Sequence, residues 1–338
     1  MFNRALLSAD YPQFQPLVAQ LETRVASIPS LHEAGLLRPL SIESLQWGEL
    51  DKAGVRLSVL RADLLHPVIS GNKWFKLKYN LLGAIEGESN SLLSVGGAWS
   101  NHLHALAYAG YLLGLTTMGI VRGEELTAAS NPMLGELQRL GMQLQFVNRA
   151  RYREICRELT QSADEKADLT VIPEGGDNVL GLLGASTLIN PQHLLQLGIT
   201  HIIGGVGTGC TFAGLRLSAP ETVNLIGVSA LKGDWVRDEM TARLHSYRHW
   251  LSPLQRQNWQ LLVDYHRGGF GRADEYLLSF IQQFADNTGL QLEPLYTGKA
   301  MLALLDLVEQ QLVPVGSHVL FVHSGGLQGN RGFANFTK

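Results

Sequence analysis

Lys73 stands in a sequence context that suits an amine reacting with a carbonyl compound. Residues 70–77 read Ser-Gly-Asn-Lys-Trp-Phe-Lys-Leu, so Lys73 follows a Gly-Asn turn and precedes two aromatic residues at a predicted helix start. Burial beside aromatic side chains lowers the pKa of a lysine and so favours the neutral amine that forms a Schiff base. Lys76 lies three residues later on the same helix face, where its charge could hold an anion. A solvated lysine at a helix start is the plainer interpretation.

Residues 94–102 predict an anion site at the start of a helix. An apolar strand ends in two glycines, and Ser100 and Asn101 then open a helical stretch. The free backbone N–H groups of a helix N-terminus attract a carboxylate. The same pattern fits an ordinary N-cap, which stabilises a helix by about 1 kcal/mol. His102 and His104 are two residues apart and face different directions on a helix, so no metal site is expected there.

Residues 204–211, Gly-Gly-Val-Gly-Thr-Gly-Cys-Thr, form a third candidate segment. They follow a short apolar strand and precede a helical pattern, where successive backbone N–H groups can surround a phosphate. A dinucleotide-binding fingerprint does not fit, because its third glycine position, counted from Gly205, is Cys210. No Gly-Lys-Ser/Thr follows at the P-loop spacing either. A glycine-rich loop alone is a weak indication, so the interpretation depends on the Lys73 segment.

The composition argues against several classes of protein. The 338 residues carry a net charge of −3, so nucleic acid and acidic membranes are not expected partners. The two cysteines, Cys156 and Cys210, cannot form a disulfide framework, which favours a reducing cytoplasm. Residues 1–12 do not resemble a secretory signal. Residues 103–121 are largely apolar, but two glycines interrupt them, and we predict a buried helix, a Gly turn and a strand rather than a membrane span.

Short apolar runs alternate with helical patterns, which predicts parallel sheets with helices on both faces. The length suits two domains. One helix has Asn131 as its cap, Pro132 in its first turn and Gly141 beyond its end. Another is predicted over residues 152–163, and residues 1–50 predict a helical or irregular lead. The predicted strands are residues 92–95, 118–121, 144–147, 169–172, 201–203, 225–228 and 319–322.

In chain order, the Lys73 segment, the Ser100 segment and the glycine loop resemble the pyridoxal-phosphate enzymes of the tryptophan-synthase-β fold type. Within that type the chain is most similar to the 1-aminocyclopropane-1-carboxylate deaminase and D-cysteine desulfhydrase family, over residues 57–333. The resemblance implies an α/β fold of two domains, each with an open, mostly parallel sheet flanked by helices, and pyridoxal 5'-phosphate in the cleft between them. It implies a small inserted domain over residues 76–173 and a large cofactor-binding domain over residues 1–75 and 174–338. The family is usually dimeric, so a homodimer is expected.

The resemblance also implies roles for the matching residues. The Schiff-base lysine falls on Lys73 and the phosphate-contacting lysine on Lys76. Ser100 matches a serine that attacks the substrate or transfers a proton, and Asn101 matches an asparagine that contacts the ring oxygen of the cofactor. The expected phosphate contacts are Gly207, Thr208, Gly209 and Thr211. The expected substrate contacts are Trp99, Ser100, Asn101, His102 and Tyr296.

Several pocket positions separate the branches of the family. Where the family commonly has glutamine this chain has Trp99, so an indole would reshape or fill the substrate pocket. Tyr296 matches a tyrosine near the substrate, which makes it a catalytic candidate. The deaminase branch has glutamate near the pyridine nitrogen and leucine further on, where this chain has Thr297 and Ser324. A hydroxyl keeps that nitrogen protonated less well than a carboxylate does, which favours simple β-elimination. Phe270 falls near a family tyrosine and is expected to be a pocket wall.

We therefore expect a pyridoxal-phosphate-dependent lyase or deaminase that acts on a small amino acid. The first candidate reaction converts D-cysteine to pyruvate, sulfide and ammonia. The 1-aminocyclopropane-1-carboxylate deaminase reaction and elimination from another D-amino acid are alternatives. A cofactor-binding protein without catalysis is a further alternative, and so is a nucleotide-binding α/β protein, which would show no visible absorbance band.

Overall fold

A computed structural model of the chain describes residues 13–87, 89–161 and 168–333. The segment 1–12 and the end of the helix predicted over 152–163 lie outside those residues. The helices of the described part are α1 (Phe14–Ala26), α2 (Pro29–Glu33), α3 (Gly48–Lys52), α4 (Asn72–Glu86), α5 (Asn101–Leu113), α6 (Pro132–Arg139), α7 (Arg149–Gln161), α8 (Val179–Ala185), α9 (Pro191–Leu197), α10 (Cys210–Ser218), α11 (Trp235–Ser246), α12 (Glu275–Thr288) and α13 (Thr297–Glu309). The strands are β1 (Ile42–Leu45), β2 (Arg56–Arg61), β3 (Ser91–Gly97), β4 (Thr116–Arg122), β5 (Gln143–Val147), β6 (Leu169–Ile172), β7 (His201–Val206), β8 (Asn224–Ser229), β9 (Trp259–Leu262) and β10 (His318–His323).

The chain divides into two compact units. The first unit comprises residues up to Arg38 together with Leu65–Ala185, and the second comprises Pro39–Leu64 together with residues from Ser186 onward. This division differs from the predicted one, which cut the chain at residues 75/76 and 173/174. Helix α4 continues without a break through the first of those points, so it keeps Lys73 and Lys76 in the same unit. Helix α8 packs against α4 so closely that a Cβ on Gly184 would lie 1.9 Å from a backbone oxygen of α4.

The first unit contains a parallel sheet with the strand order β5-β4-β3-β6. Helix α5 ends at Gly114, whose φ of 68° provides the left-handed C-cap, and β4 begins two residues later. The predicted helix, Gly turn and strand over residues 103–121 are therefore confirmed. Within the part of the chain that the structure describes, no helix is both long and apolar enough to cross a membrane.

Helix α6 is built as its sequence predicts. The Oδ1 atom of Asn131 accepts a hydrogen bond from the backbone N–H of Leu134 at 2.9 Å, and Pro132 occupies the first turn. The amide of Asn131 also donates to the carbonyl of Ala98 at 3.2 Å. The cap of one helix therefore also fixes the loop that precedes Ser100.

The second unit contains a sheet with the order β1-β2-β10-β7-β8-β9, in which β1 is antiparallel to β2 and every other pair is parallel. Strand β10 is buried along its whole length, as expected for a central parallel strand. Apolar side chains of α12 and α13 pack into a core with the sheet, and each fully buried Leu, Ile or Phe contributes about 1.5–3 kcal/mol. The predicted α/β class with two mostly parallel sheets is confirmed.

Arg216 fixes the far end of α10, the helix that begins at the glycine loop. The side chain is fully buried, and its guanidinium donates to the backbone carbonyls of Val223, Asn258, Ala219 and Pro220 at 2.6–3.0 Å. Burial lowers the pKa of Arg216 to about 10. The helix is thereby tied to two loops, which leaves its N-terminal end in a fixed position.

Candidate active site

Lys73 lies in the first turn of α4. Gly71 precedes the helix with φ 69° and ψ −149°, a conformation that favours glycine. The Nζ atom of Lys73 donates to Oδ1 of Asn72 at 2.7 Å. Lys76, one turn further along α4, is buried. The turn predicted from the sequence therefore places two lysines at the start of one helix.

Ser100 is the N-cap of α5. Its Oγ accepts a hydrogen bond from the backbone N–H of Leu103 at 3.2 Å. A Cβ on Gly96 would lie 2.6 Å from that oxygen, so the cap requires glycine at the end of β3. The ordinary capping role is thus present, and because Oγ acts as an acceptor here, its own hydrogen can still be donated. Trp99 is half-buried in the turn just before the cap.

Two buried polar atoms next to this cap have no hydrogen-bond partner in the described part of the chain. Asn101 is 8% exposed and His102 is 2% exposed. Among the residues that the structure describes, neither Oδ1 of Asn101 nor Nδ1 of His102 has a hydrogen-bond partner. A buried polar atom without a partner costs about 1–3 kcal/mol, which explains why such atoms are rare. The start of α5 is therefore a place where a ligand would complete the hydrogen bonding.

His102 is held inside the first unit by its other ring nitrogen. Its Nε2 lies 2.9 Å from Oγ of Ser94 in β3. Burial lowers the pKa of His102 well below its usual value, and the positive charges of Lys76 and Lys73 lower it further. The imidazole is therefore neutral at physiological pH, and the two lysines of α4 lie close enough to His102 to influence it.

The glycine loop of the second unit connects β7 to α10. A Cβ on Gly205 would lie 2.8 Å from Cβ of Tyr296, and one on Gly207 would lie 3.1 Å from the ring of Tyr296. Gly209 has φ 88°, and a Cβ there would lie 2.5 Å from Met240. Side chains on these glycines are therefore excluded, and the loop offers its backbone N–H groups at the start of a helix.

Three other predicted residues lie near this loop within the second unit. Cys210 is fully buried, and Thr211 in the first turn of α10 is 9% exposed. Ser324 follows β10 and shares with the loop a cleft of about 10 Å³, enough for about one water molecule. The cleft is lined by Gly204, Gly205, Thr211, Phe212, Leu215, Leu225, Val322 and Ser324.

Thr297 has its hydroxyl bonded inside the protein. It is fully buried, its Oγ1 accepts from the backbone N–H of Glu293 at 2.8 Å, and it donates to Oε1 of Glu293 at 3.1 Å. The Glu293 carboxylate also accepts the backbone N–H groups of Leu295, Tyr296 and Thr297 at 2.6–2.9 Å. Burial raises the pKa of Glu293, and these N–H donors oppose that shift. Thr297 thus belongs to the N-terminal cap of α13.

Sequence reasoning missed Glu293, Ser94 and the contact of Asn131 with Ala98. None of the three carries a local sequence signal, because even Glu293 lies three residues before the N-cap of α13, outside the positions where acidic residues are typical of a helix start. Phe270 is about half exposed, and its ring centroid lies 6.0 Å from that of Tyr296. The pocket-wall role of Phe270 stays a prediction.

The architecture and these segments agree with a comparison against known families. Residues 41–325 match a family model described as pyridoxal-phosphate dependent enzyme. The chain belongs to this family. Pyridoxal 5'-phosphate is accordingly its cofactor, and the chain is an enzyme of the lyase and deaminase kind.

Curated relatives bear the two names that the sequence suggested, so the resemblance is confirmed. A putative 1-aminocyclopropane-1-carboxylate deaminase of Pyrococcus abyssi is 29% identical over 82% of this chain and 86% of its own. The D-cysteine desulfhydrase of Klebsiella pneumoniae strain 342 is 28% identical over 82% of this chain and 88% of its own. A bifunctional mitochondrial enzyme of Arabidopsis thaliana, named for both activities, is 28% identical over 82% of this chain and 73% of its own.

A solved structure supports the fold. The crystal structure of a homologue of 1-aminocyclopropane-1-carboxylate deaminase superposes with a TM-score of 0.72 at 24% identity, covering 89% of this chain and 95% of the other. At that identity the likeness establishes the fold alone.

The residues present fit the cofactor. The first unit has a primary amine, Lys73. The same unit has Oδ1 of Asn101 and Nδ1 of His102 at the start of α5, two buried polar atoms without partners among the described residues. The second unit has a loop whose glycines leave no room for side chains, which suits close approach of the backbone to a phosphate.

Proposed function

We propose that the chain catalyses β-elimination and deamination of a small amino acid, with D-cysteine as the best candidate substrate. The balanced reaction converts D-cysteine and water to pyruvate, ammonia and hydrogen sulfide. The observation that supports binding of an amino acid most directly is the pair of unpartnered buried atoms on Asn101 and His102. They adjoin the N-terminus of α5, where the backbone N–H groups attract a substrate carboxylate, while Oδ1 of Asn101, an acceptor, suits a hydrogen-bond donor on the ligand.

The first unit supplies the reacting amine and the carboxylate site in this proposal. Lys73 would hold the cofactor through its amine, and the same amine, when free, would take up the proton from the substrate's Cα. Ser100 retains an O–H that can donate to the carboxylate or assist that proton transfer, because its Oγ acts as an acceptor in the helix cap. The side-chain amide N–H of Asn101 would donate to the ring oxygen of the cofactor, and Lys76 would contribute positive charge toward its phosphate.

The second unit supplies the phosphate loop and the contacts to the ring in this proposal. The backbone at Gly207 and Gly209 and the hydroxyls of Thr208 and Thr211 bind the phosphate. Tyr296 forms one wall for the amino acid. When bound, pyridoxal phosphate would supply an electron sink for the electron pair left at the substrate's Cα, which would favour loss of the sulfur from the β-carbon.

The choice of D-cysteine rests on the residues available to the pyridine nitrogen. The buried hydroxyl of Thr297 is bonded to Glu293, so we assign the nitrogen contact to Ser324 rather than to Thr297. Ser324 brings a hydroxyl without a formal charge, which makes the ring a weaker electron sink than a carboxylate would. Loss of sulfide from a β-carbon needs less electron withdrawal than opening a cyclopropane ring. Relatives named for D-cysteine desulfhydration support the same choice.

The test is release of pyruvate and sulfide from D-cysteine by the cofactor-loaded protein. L-cysteine and 1-aminocyclopropane-1-carboxylate serve as comparison substrates, and a visible absorbance band with a borohydride-trapped adduct on Lys73 verifies loading. Release from D-cysteine in preference to both supports the proposal. Release of 2-oxobutyrate from the cyclopropane substrate at a higher kcat/KM would replace it with the deaminase reaction. A loaded protein that turns over none of the three would point to another amino acid and to Trp99 as the residue that altered the pocket.

A further inference from the structure

Lys299 is a buried charged residue that the proposed reaction does not use. It lies in the first turn of α13 and is 1% exposed. Its Nζ donates to the backbone carbonyl of Gly269 at 3.1 Å. Burying an ammonium group is costly unless the group is paired and hydrogen-bonded, so its position needs a structural reason.

The carbonyl that Lys299 contacts belongs to a glycine-rich turn, residues 268–271, in which Gly269 is buried and the other three residues are exposed. Gly268, Gly269 and Gly271 have φ values of 94°, 111° and 74°, so the turn uses backbone conformations open mainly to glycine. Its only non-glycine side chain, Phe270, is about half exposed. The local backbone bonds are few, from Gly269 N–H to the carbonyl of His266 and from Arg272 N–H to that of Gly269. A turn of this kind has little intrinsic preference for one position.

The turn carries one residue toward the proposed substrate wall. The ring centroid of Phe270 lies 6.0 Å from that of Tyr296, with the planes at 57°. Tyr296 in turn lies against the glycine loop, where a Cβ on Gly205 or Gly207 would contact it within 3.1 Å. Lys299 therefore contacts the 268–271 turn through Gly269, and the same turn contacts Tyr296 through Phe270.

We propose that Lys299 is a positioning residue: it holds the 268–271 turn so that Phe270 packs against Tyr296 and completes the wall of the amino-acid pocket. The inference rests on the proposed function only in assigning Tyr296 to the substrate. The link between Lys299 and the turn can be tested without any substrate.

The charges around Lys299 come from the two segments packed against it. Burial lowers the pKa of Lys299 to about 8, and the negative charges of Glu293 and Asp274 oppose this shift. Glu293 precedes α13, while Asp274 caps α12 and pairs with Arg267 at 2.7 Å. The ammonium form, which makes the stronger hydrogen bond, is present below about pH 8 and is lost above it.

The first experiment measures amide hydrogen exchange of residues 267–272 in the cofactor-loaded protein, for wild type and Lys299→Met. We expect exchange in this turn to be about tenfold faster or more in the variant, because a hydrogen bond from a charged donor is lost while the side-chain volume is kept. Lys78→Met is the matched control. Lys78 is also buried, at 3% exposure, but it lies in α4 and pairs with Glu22. Equal exchange of the turn in wild type and Lys299→Met would overturn the proposal.

A measurement on the wild type keeps the proposal testable if Lys299→Met does not fold. Protection factors, corrected for the intrinsic pH dependence of exchange, should fall in the turn as the pH rises through about 8. Those of β8 in the same unit should stay constant. A turn whose protection is as constant as that of β8 would contradict the inference.

Kinetics connect the turn to the pocket. For Lys299→Met we expect KM for the amino acid to rise roughly tenfold with a smaller change in kcat, and an unchanged absorbance band of bound cofactor. Partial recovery is expected in Lys299→Arg, which keeps a cation. If the wild type does not act on D-cysteine but the turn loosens as expected, the proposed substrate fails and the positioning role stands. If D-cysteine is turned over but the turn does not loosen, only the positioning role fails.

Discussion

The two units differ in how they satisfy the polar residues that the sequence singled out. In the first unit, Asn101 and His102 are buried and each keeps a polar atom without a partner in the described chain. In the second unit, Thr297 is buried as well, yet its hydroxyl exchanges hydrogen bonds with Glu293. A fully satisfied group stabilises the fold, whereas an unsatisfied one is retained where a ligand completes it. Hydrogen-bond partners therefore distinguish Thr297, which is satisfied within the protein, from Asn101 and His102, which we propose contact a ligand, where motif spacing does not.

The units also differ in what anchors the helix at the site. Helix α4, which carries Lys73, is held from α1, where Glu22 accepts a hydrogen bond from the hydroxyl of Tyr79 at 2.6 Å and pairs with Nζ of Lys78 at 2.5 Å. Burial lowers the pKa of Lys78, and Glu22 opposes this shift. Helix α13 is held instead by Glu293 at its own N-terminus. The N-terminal helix, where the resemblance to the family is weak, thus stabilises the helix of the reactive lysine.

The largest expected effect belongs to Lys73. Lys73→Ala should lower turnover by at least about 10³-fold and abolish the borohydride-trapped adduct, because in the proposed reaction its amine both attaches the cofactor and moves the Cα proton. Lys52→Ala, which changes an exposed lysine in α3, is the control and should keep both the turnover rate and the trapped adduct. A Lys73→Ala protein with wild-type rates would exclude the assigned mechanism.

Thr297→Val should lower the free energy of unfolding by about 1–3 kcal/mol, because the N–H and carboxylate of Glu293 lose a buried partner. The loss should be equal with and without cofactor, as measured by denaturant unfolding of both forms. Thr297→Ser keeps the hydroxyl and should recover most of the lost free energy of unfolding. A loss seen only in the loaded protein would return Thr297 to the set of cofactor contacts.

Asn101→Ala should show the opposite pattern to Thr297→Val, with an effect on cofactor binding and not on the stability of the cofactor-free protein. The variant removes a buried atom without a partner, so the free energy of unfolding of the cofactor-free protein should stay constant or rise by up to about 1–3 kcal/mol. The affinity for pyridoxal phosphate should fall roughly tenfold, the usual scale of one hydrogen bond. Unfolding and cofactor titration on the same samples measure both. A destabilised cofactor-free protein with unchanged cofactor affinity would remove the contrast between Asn101 and Thr297.

Buried histidines give the smallest effect, seen as a pH dependence. Burial lowers the pKa of His102 and of His323 in the folded protein, so the unfolded chain takes up protons first as the pH falls below 6.5. Stability should therefore decrease below that pH, by at most about 1.4 kcal/mol per pH unit for each group. His102→Asn and His323→Asn should each flatten the curve, because each removes a histidine whose pKa burial lowers. His193→Asn, at an exposed position in α9, should leave the slope unchanged; equal slopes in all three variants would contradict the assignment.

Much of the first unit followed from local sequence. The Gly-Asn turn before α4, the Ser100 cap of α5 and the Asn131 cap of α6 each depend on a few neighbouring residues, and all are present. Strands β1, β2 and β9 were not predicted. Strand β2 pairs with β10, more than 250 residues later, and β1 and β9 are four-residue strands at the sheet edges. Their pairing depends on distant partners, which local patterns do not encode.

The sequence by itself determined the α/β class, the lysine segment and the family, because these depend on residue order and short-range geometry. Only the tertiary structure decided how the buried polar groups are satisfied. Ser94 in β3 is hydrogen-bonded to His102 in α5, Glu293 accepts a hydrogen bond from the hydroxyl of Thr297, and Lys299 donates to the carbonyl of Gly269, 30 positions away. The physical reason is that a hydrogen bond forms between groups that folding brings within about 3 Å of each other, and residue type alone does not specify which groups those are.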